Sequence, residues 1–387
     1  MFKWELLTNE TASQVWDEKL SRFADCSPFQ SYAFGQFHKN LGWQPCYWAA
    51  TNEKGETVAL CLGLLRRYPL GFGLLWCAGG PVGDVRTWDE SLRETILETT
   101  GLKRLYMRFR CDRERNVGDT LFLNHRGWSR SISPMTSSFS MELDLTGGED
   151  ALFSKLKRNW RRNFRLASQN NLTIKICANP DVEEISRVYA GMETRKNLPQ
   201  QFSPEKLENL FKHAKSNLIF YRCEDEFGNL ISLRGCLIVG NRACDYLAAT
   251  TEKGREMRAS YAVLWQLLRR CREQGIEIYD LGGIDPWKNP GVYTFKKEIG
   301  AREVEFLGEW DWATSPVLQF LGNWAIGRRQ NRKSAESTSP SNSKAHGRRA
   351  NTLKAAVKKV ILGGTGSAMK ISLSFPIQNA AEYFSQI

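Results

Sequence analysis

From Cys46 onward, apolar and polar positions alternate with the period of β-strands. CYWAATNEKGETVALCLGLL predicts two strands around a turn at Gly55, and LIFYRCEDEFGNLISLRGCLIV, from Leu218 to Val239, repeats that pattern around Gly228. Val58 and Ile231 stand three residues after the glycine, Leu60 and Leu233 five, and Leu64 and Leu237 nine, at an offset of 173 residues. Further on, a helical stretch from Asp89 to Thr100 leads to Gly101 and a strand, Leu102 to Arg108. Likewise Ala259 to Gln274 leads to Gly275 and a strand, Ile276 to Leu281, at an offset of 174. Two landmarks at nearly constant separation predict an internal duplication of a hairpin, strand, helix, strand unit.

Between the repeats, ALFSKLKRNWRRNFRLASQ places Phe153, Leu156, Trp160, Phe164 and Ala167 on one face of a single predicted helix. Lys155, Lys157, Arg158, Arg161, Arg162 and Arg165 take the other faces. Such a density of cations attracts phosphate, as in a tRNA acceptor stem or a nucleotide pyrophosphate; a merely solvated basic face is the plain alternative. Helices are also predicted over Ser13 to Phe23, Ser31 to Trp43, two between Val182 and Leu210, and Val317 to Arg329. Strands are expected at Ala243 to Ala249 and Glu303 to Trp312. Arg332 to Arg349, rich in Ser, Lys and Arg, reads as a disordered linker, and Asn351 to Leu362 as a short basic amphipathic helix.

The stretch from Gly275 to Gly300, GIEIYDLGGIDPWKNPGVYTFKKEIG, is where chemistry concentrates. It predicts a buried strand, a turn at Gly282 and Gly283, and a loop stiffened by Pro286 and Pro290 that delivers Phe295, Lys296 and Lys297. Backbone N–H groups at a glycine turn beside a cation suit an anion or a developing oxyanion. The alternative is a tight turn with two solvated lysines.

The chain has 387 residues, room for about two or three domains. Its ten cysteines include no C-x-x-C pair, and His38, His125, His213 and His346 do not cluster, so no metal, disulfide framework or cofactor is expected. The net charge of +12 is mostly a tail property: Arg328 to Val360 holds ten Lys or Arg against Glu336, leaving about +3 before it. With no signal-peptide pattern and no long apolar run, a soluble, cytoplasmic protein is expected.

YDLGGIDP followed by GVYTFKKEIGA resembles the C-terminal signature of the Fem family, aminoacyltransferases that build the interpeptide bridges of peptidoglycan from aminoacyl-tRNA. The likeness runs from about Ser31 to Trp312. It implies an α/β (α+β) fold of two tandem GNAT-like acyltransferase domains, with mixed sheets flanked by helices. The expected division is residues 1–145 and 146–312, a helix at 313–330 packing back on the first domain, a linker at 331–350 and a tail at 351–387. The resemblance implies that Lys296, with the backbone of Phe295, stabilises the oxyanion of ester aminolysis. Lys39, Arg195 and Tyr246 match substrate contacts, beside Gly282, Gly283 and Asp285. Lys157, Arg158, Arg161, Arg162 and Arg165 would hold tRNA phosphates. The implied partners are aminoacyl-tRNA and a nucleotide- or lipid-linked muramyl-pentapeptide, with a peripheral membrane contact through the basic tail. A coenzyme A donor fits poorly. REMRAS, Arg255 to Ser260, has Arg258 where that loop needs glycine, and GGPVGD, Gly79 to Asp84, carries Pro81 with no N–H. An acyltransferase with another donor, acting on a polysaccharide or small amine, and a non-catalytic binder of tRNA or wall precursors stay open as alternatives.

Overall fold

The computed structural model describes residues 2–336, and two compact units divide at Trp324 and Ala325. The first unit is built on one mixed sheet. In chain order its strands are β1 (Lys3–Leu7), β2 (Gln44–Thr51), β3 (Thr57–Tyr68), β4 (Phe72–Cys77), β5 (Val82–Gly83), β6 (Arg104–Glu114) and β7 (Ser129–Arg130). There follow β8 (Phe139–Asp144), β9 (Thr173–Ile176), β10 (Leu218–Glu224), β11 (Leu230–Val239), β12 (Arg242–Thr250), β13 (Ile278–Gly283) and β14 (Arg302–Ala313). The spatial order is β1-β2-β3-β4-β6-β14-β8-β13-β12-β11-β10-β9, with β5 beside β3 and β7 beside β14.

The duplication is visible as two copies of one path. In each, an antiparallel meander (β2-β3-β4, then β10-β11-β12) leads through a helix (Glu90–Thr100, then Ala259–Glu273) to a parallel neighbour of its last strand, β6 or β13. The matched glycines do the same work in both copies. Gly55 and Gly228 turn the hairpins at φ of +78° and +81°, and Gly101 and Gly275 end the helices at +65° and +78°, a region costly for residues bearing a Cβ.

The halves are interlocked. β8, from the N-terminal stretch, pairs with β13 and with Arg302–Glu305 of β14, whereas Phe306–Ala313 of β14 pairs with β6. A cut at 145/146 therefore divides the chain but not the sheet, since each half is completed by a strand from the other. At this exchange Arg108 on β6, 1% exposed, donates from Nε to Asp311 (2.6 Å) and from Nη1 to Glu309 (3.1 Å). Its Nη2 donates to Asn323 at 3.0 Å on the helix Pro316–Glu336. Each half has its own apolar core, around Trp48, Trp88, Phe109 and Trp128 in one and around Trp160, Val263, Leu267 and Tyr279 in the other.

Three expectations are corrected. The single basic helix is two, Gly148–Lys155 and Arg158–Ser168, because buried Leu156 is extended (ψ 132°) and frees the Lys157 N–H to donate to Glu298 O at 2.8 Å. The segment from Pro290 is the helix Pro290–Glu298 rather than a loop, since a proline in the first turn lacks only an N–H that would have no helical partner. Helix Pro316–Glu336 continues through the first six residues of the expected linker, 331–336; the remainder of the linker and the 351–387 tail lie outside the described residues.

Candidate active site

The site grows out of the end of β13. The Asp280 carboxylate accepts the Gly282 N–H at 2.8 Å and is bonded by the Ser140 hydroxyl from β8, curling the strand end back on itself. Gly282 takes φ +78°, and the ladder to β8 passes over Leu281 and Gly282 before resuming at Gly283, so the predicted glycine turn is a bulge inside the strand. The bulge turns the carbonyls of Gly282 and Gly283 toward one cation. Lys296 Nζ donates to both, each at 2.9 Å.

Lys296 is the one strictly buried residue of its helix, 7% exposed, and burial lowers its pKa below the ordinary lysine value. Around it lies a polar cluster on three strands. Arg234 of β11 grips Asp245 of β12 through two bonds of 2.9 and 2.6 Å, and the Tyr279 hydroxyl of β13 donates to the same carboxylate at 2.9 Å. Burial raises the pKa of Asp280. Beside Lys296, the Phe295 ring meets Tyr261 edge-on at 5.0 Å and lies 5.7 Å from the Arg234 guanidinium.

β12 and β13 part at this point. Their parallel ladder ends at Cys244 opposite Asp280, and the β11–β12 ladder passes over Tyr246 between Asp245 and Leu247. Two bulges thus lie where neighbouring strands stop pairing, and Lys296 is bonded to the carbonyls of one of them. An ammonium has three donors, and two are held by carbonyls; the third is available to a developing oxyanion.

Of the residues picked from sequence, the fold brings Gly282, Gly283, Phe295 and Lys296 together. The basic helix adjoins them: Asn159 donates to Glu298 at 2.8 Å, and Trp160 lies 6.1 Å from Phe295. On that helix Lys157, Arg158, Arg162 and Arg165 are exposed and Arg161 half-buried. Tyr246 sits at the β12 bulge, its ring 6.1 Å from Phe29 and 6.3 Å from Phe202. Lys39 is exposed at the end of the helix Tyr32–Lys39, and Arg195 lines a separate cleft of about 370 Å³ and donates to Thr250 O at 3.1 Å. Neither shares a hydrogen bond with the Lys296 cluster. Asp285 organises its own turn, its carboxylate accepting the N–H groups of Trp287 (3.1 Å) and Lys288 (2.8 Å).

Arg234, Asp245 and Tyr279 were not singled out from sequence. A signal existed: LISLRGCLIV and ACDYLAA each hold one charge in an otherwise apolar strand, and a buried charge requires a partner. Among the described residues no group of His, Cys, Asp and Glu could hold a metal ion, and no helix is long and apolar enough to cross a membrane.

Strand order and site together define a mixed α/β fold of two like halves, with the lysine cluster in the second. Residues 204–325 match the model of the FemAB family, a stretch that includes Arg234, Asp245, Gly282 and Lys296, in line with the Fem resemblance of the sequence. It is similar to the UDP-N-acetylmuramoylpentapeptide-lysine N(6)-alanyltransferase of Weissella viridescens, with 23% identity over 341 residues, 78% of this chain and 94% of that protein. It is also similar to the aminoacyltransferase FemA of Staphylococcus aureus, with 25% identity over 136 residues, 33% of this chain and 30% of that protein. In structure it resembles crystalline FemX at a TM-score of 0.70 and 17% identity, covering 82% of this chain and 99% of that one.

Proposed function

We propose that this chain is an aminoacyltransferase of the peptidoglycan-bridge type, moving an amino acid from aminoacyl-tRNA to an amine of a muramyl-peptide precursor. The observation that carries this is the similarity to the Weissella viridescens alanyltransferase, which spans 94% of that protein and therefore both halves of the fold.

In this reading the acceptor amine attacks the ester carbonyl of the donor in the split between β12 and β13. The free Lys296 N–H donates to the oxyanion that forms, with Phe295 beside it. Collapse of the intermediate forms the amide bond and expels the ribose hydroxyl of the tRNA, which takes up the proton lost by the amine. No side-chain base is required, and His38, half-buried and held neutral with its pKa lowered to about 4, is not placed to serve as one. Lys157, Arg158, Arg161, Arg162 and Arg165 bind donor phosphates, and Lys39, Arg195, Tyr246, Gly282, Gly283 and Asp285 contact substrate. Arg258 supports a donor other than coenzyme A: it occupies the left-handed region at φ +57° at the start of the helix Ala259–Glu273, putting a side chain where a pyrophosphate loop needs bare backbone. The reaction places the protein in the cytoplasm, and the basic tail adds a contact with an anionic membrane when the acceptor is lipid-linked. Co-sedimentation of the full chain, but not of residues 1–336, with phosphatidylglycerol vesicles is the expected outcome for that contact.

The deciding experiment offers purified protein radiolabelled aminoacyl-tRNA pools and muramyl-pentapeptide precursors, in parallel with acetyl-coenzyme A and a panel of amines. Label passing from tRNA to the pentapeptide is expected. Label passing only from coenzyme A would overturn the reading.

A further inference from the structure

Lys296 has a second cation, Arg234, in its surroundings. The groups whose charge reaches it are Arg234 from β11, Cys244 and Asp245 from β12, and Asp280 from β13, with the Tyr279 hydroxyl of β13 bonded to Asp245. On its own helix, Lys297 is turned away, bonded to Glu303 at 3.1 Å and to the Tyr293 hydroxyl at 2.9 Å, and Glu298 is bonded by Asn159. The Asp245 carboxylate accepts three hydrogen bonds, from Arg234 and Tyr279, and makes none to Lys296. Its main chain nevertheless runs against the lysine's anchor: a Cβ built on Gly282 would lie 3.9 Å from Asp245 O and 3.8 Å from Lys296 Nζ. Asp245 is therefore close enough to act through its field while its bonds are spent on Arg234.

We infer that Asp245 is a positioning residue for the transfer reaction: by neutralising Arg234 it keeps the Lys296 ammonium charged and aimed into the crevice. The inference rests on the role proposed above for Lys296. An isolated Arg234 beside Lys296 would set two like charges in one buried region, and pairing with the Asp245 carboxylate removes that clash. The direction of each influence follows. Burial and Arg234 push the lysine toward its neutral form, whereas Asp245 and Asp280 hold the proton on it. A neutral amine still bonds the two glycine carbonyls but donates weakly to an oxyanion, so activity that needs the ammonium falls as pH rises through the lysine's pKa.

The test reads Lys296 itself, apart from catalysis. In the full-length protein, the pH dependence of its reductive methylation by formaldehyde and cyanoborohydride is followed by mass spectrometry on the peptide that contains it. Asp245→Asn is expected to move that titration, and the alkaline limb of the transfer rate, to lower pH by on the order of one unit, the size of effect one nearby charge exerts in protein interior. The double variant Arg234→Gln/Asp245→Asn brings both back toward wild type, and Arg234→Gln alone moves them upward. A merely structural role for Asp245 would lower the rate at every pH without moving either midpoint, and that result overturns the inference. If Asp245→Asn fails to fold, Arg234→Gln decides: an unmoved Lys296 titration is refutation. If the wild type transfers nothing from aminoacyl-tRNA, the functional reading fails, while the methylation titration still confirms or refutes the coupling.

Discussion

Lys296→Met separates the lysine's chemical role from its structural one, because methionine keeps the length of the chain and removes charge and donors. The lysine has one uncommitted N–H for an oxyanion. Loss of a single such donor costs about 2.7–4 kcal/mol of transition-state stabilisation, or roughly 100- to 1,000-fold in kcat. The structural cost is smaller. The two bonds to Gly282 O and Gly283 O, each 2.9 Å, contribute about 1 kcal/mol apiece. Against that loss, the variant no longer buries an ammonium at 7% exposure. The net change in unfolding free energy should stay within about 2 kcal/mol. Its sign varies with pH: because the folded pKa lies below 10.5, wild-type stability relative to the variant rises as pH climbs from the folded value to 10.5. Steady-state kinetics at saturating donor and acceptor, beside urea unfolding at several pH values, measure both quantities. A variant within about threefold of wild-type kcat would refute the oxyanion role. So would a rate loss wholly accounted for by an unfolded fraction seen in the same samples.

The basic helix gives a second prediction. Reversing Arg161, Arg162 and Arg165 to Glu should raise KM for the RNA donor with little change in kcat, and should flatten the dependence of log affinity on log salt by about 0.7 for each phosphate that the helix no longer neutralises. Asp311→Asn removes one of the two carboxylates that pair buried Arg108 and leaves Glu309; a loss of about 1–3 kcal/mol in denaturant unfolding is expected. His38 sets an acid limit. With its pKa lowered from 6.5 to about 4 by burial, the stability that depends on the neutral ring is intact above about 6.5 and is lost as pH falls toward 4. The loss amounts to about 3 kcal/mol, which a His38→Phe protein should not show over that range.

The duplicated hairpins were legible because a glycine at positive φ and apolar residues at fixed distances after it are local signals, repeated at Gly55 and Gly228. Lys296 and the Gly282–Gly283 pair were legible only through a motif, since nothing in their spacing says that the lysine is buried or that the glycines form a bulge. The exchange of β8 and β14 left no trace in the sequence. Pairing between Phe139–Asp144 and strands more than a hundred residues away depends on tertiary register, which alternation in one strand does not encode. The break at Leu156 was hidden for a related reason: the apolar residues on both sides keep helical spacing, and a long-range bond from Lys157 to Glu298 decides the chain path. Arg234 and Asp245 announced that each needed a partner, but only the β11–β12 register shows that they are each other's.

The duplication also explains why the proposed lysine site has no twin in the first half. In the first half, β4 and β6 stay zipped along the whole of Phe72–Cys77 against Arg104–Phe109, and a bridge from Gly80 to Arg110 continues the closure. In the second, the corresponding ladder covers only Arg242–Cys244 against Ile278–Asp280 before β12 and β13 separate. The helix that follows each of these strands makes the same contrast. Val117–His125 buries Leu123 completely in the first core, and Pro290–Glu298 buries Lys296. These two residues are 173 positions apart, the offset of the hairpin glycines, and the same offset joins Gly127 at φ +77° to Gly300 at φ +92°. The second half thus carries a lysine where the first carries a core leucine. A buried ammonium is tolerated there because the open ladder and the bulge present two carbonyls to it, and because Asp245 cancels the nearest competing charge. The features that disrupt the sheet in the second half are the ones that let a core position hold a cation, and the first half, lacking them, keeps an apolar residue there.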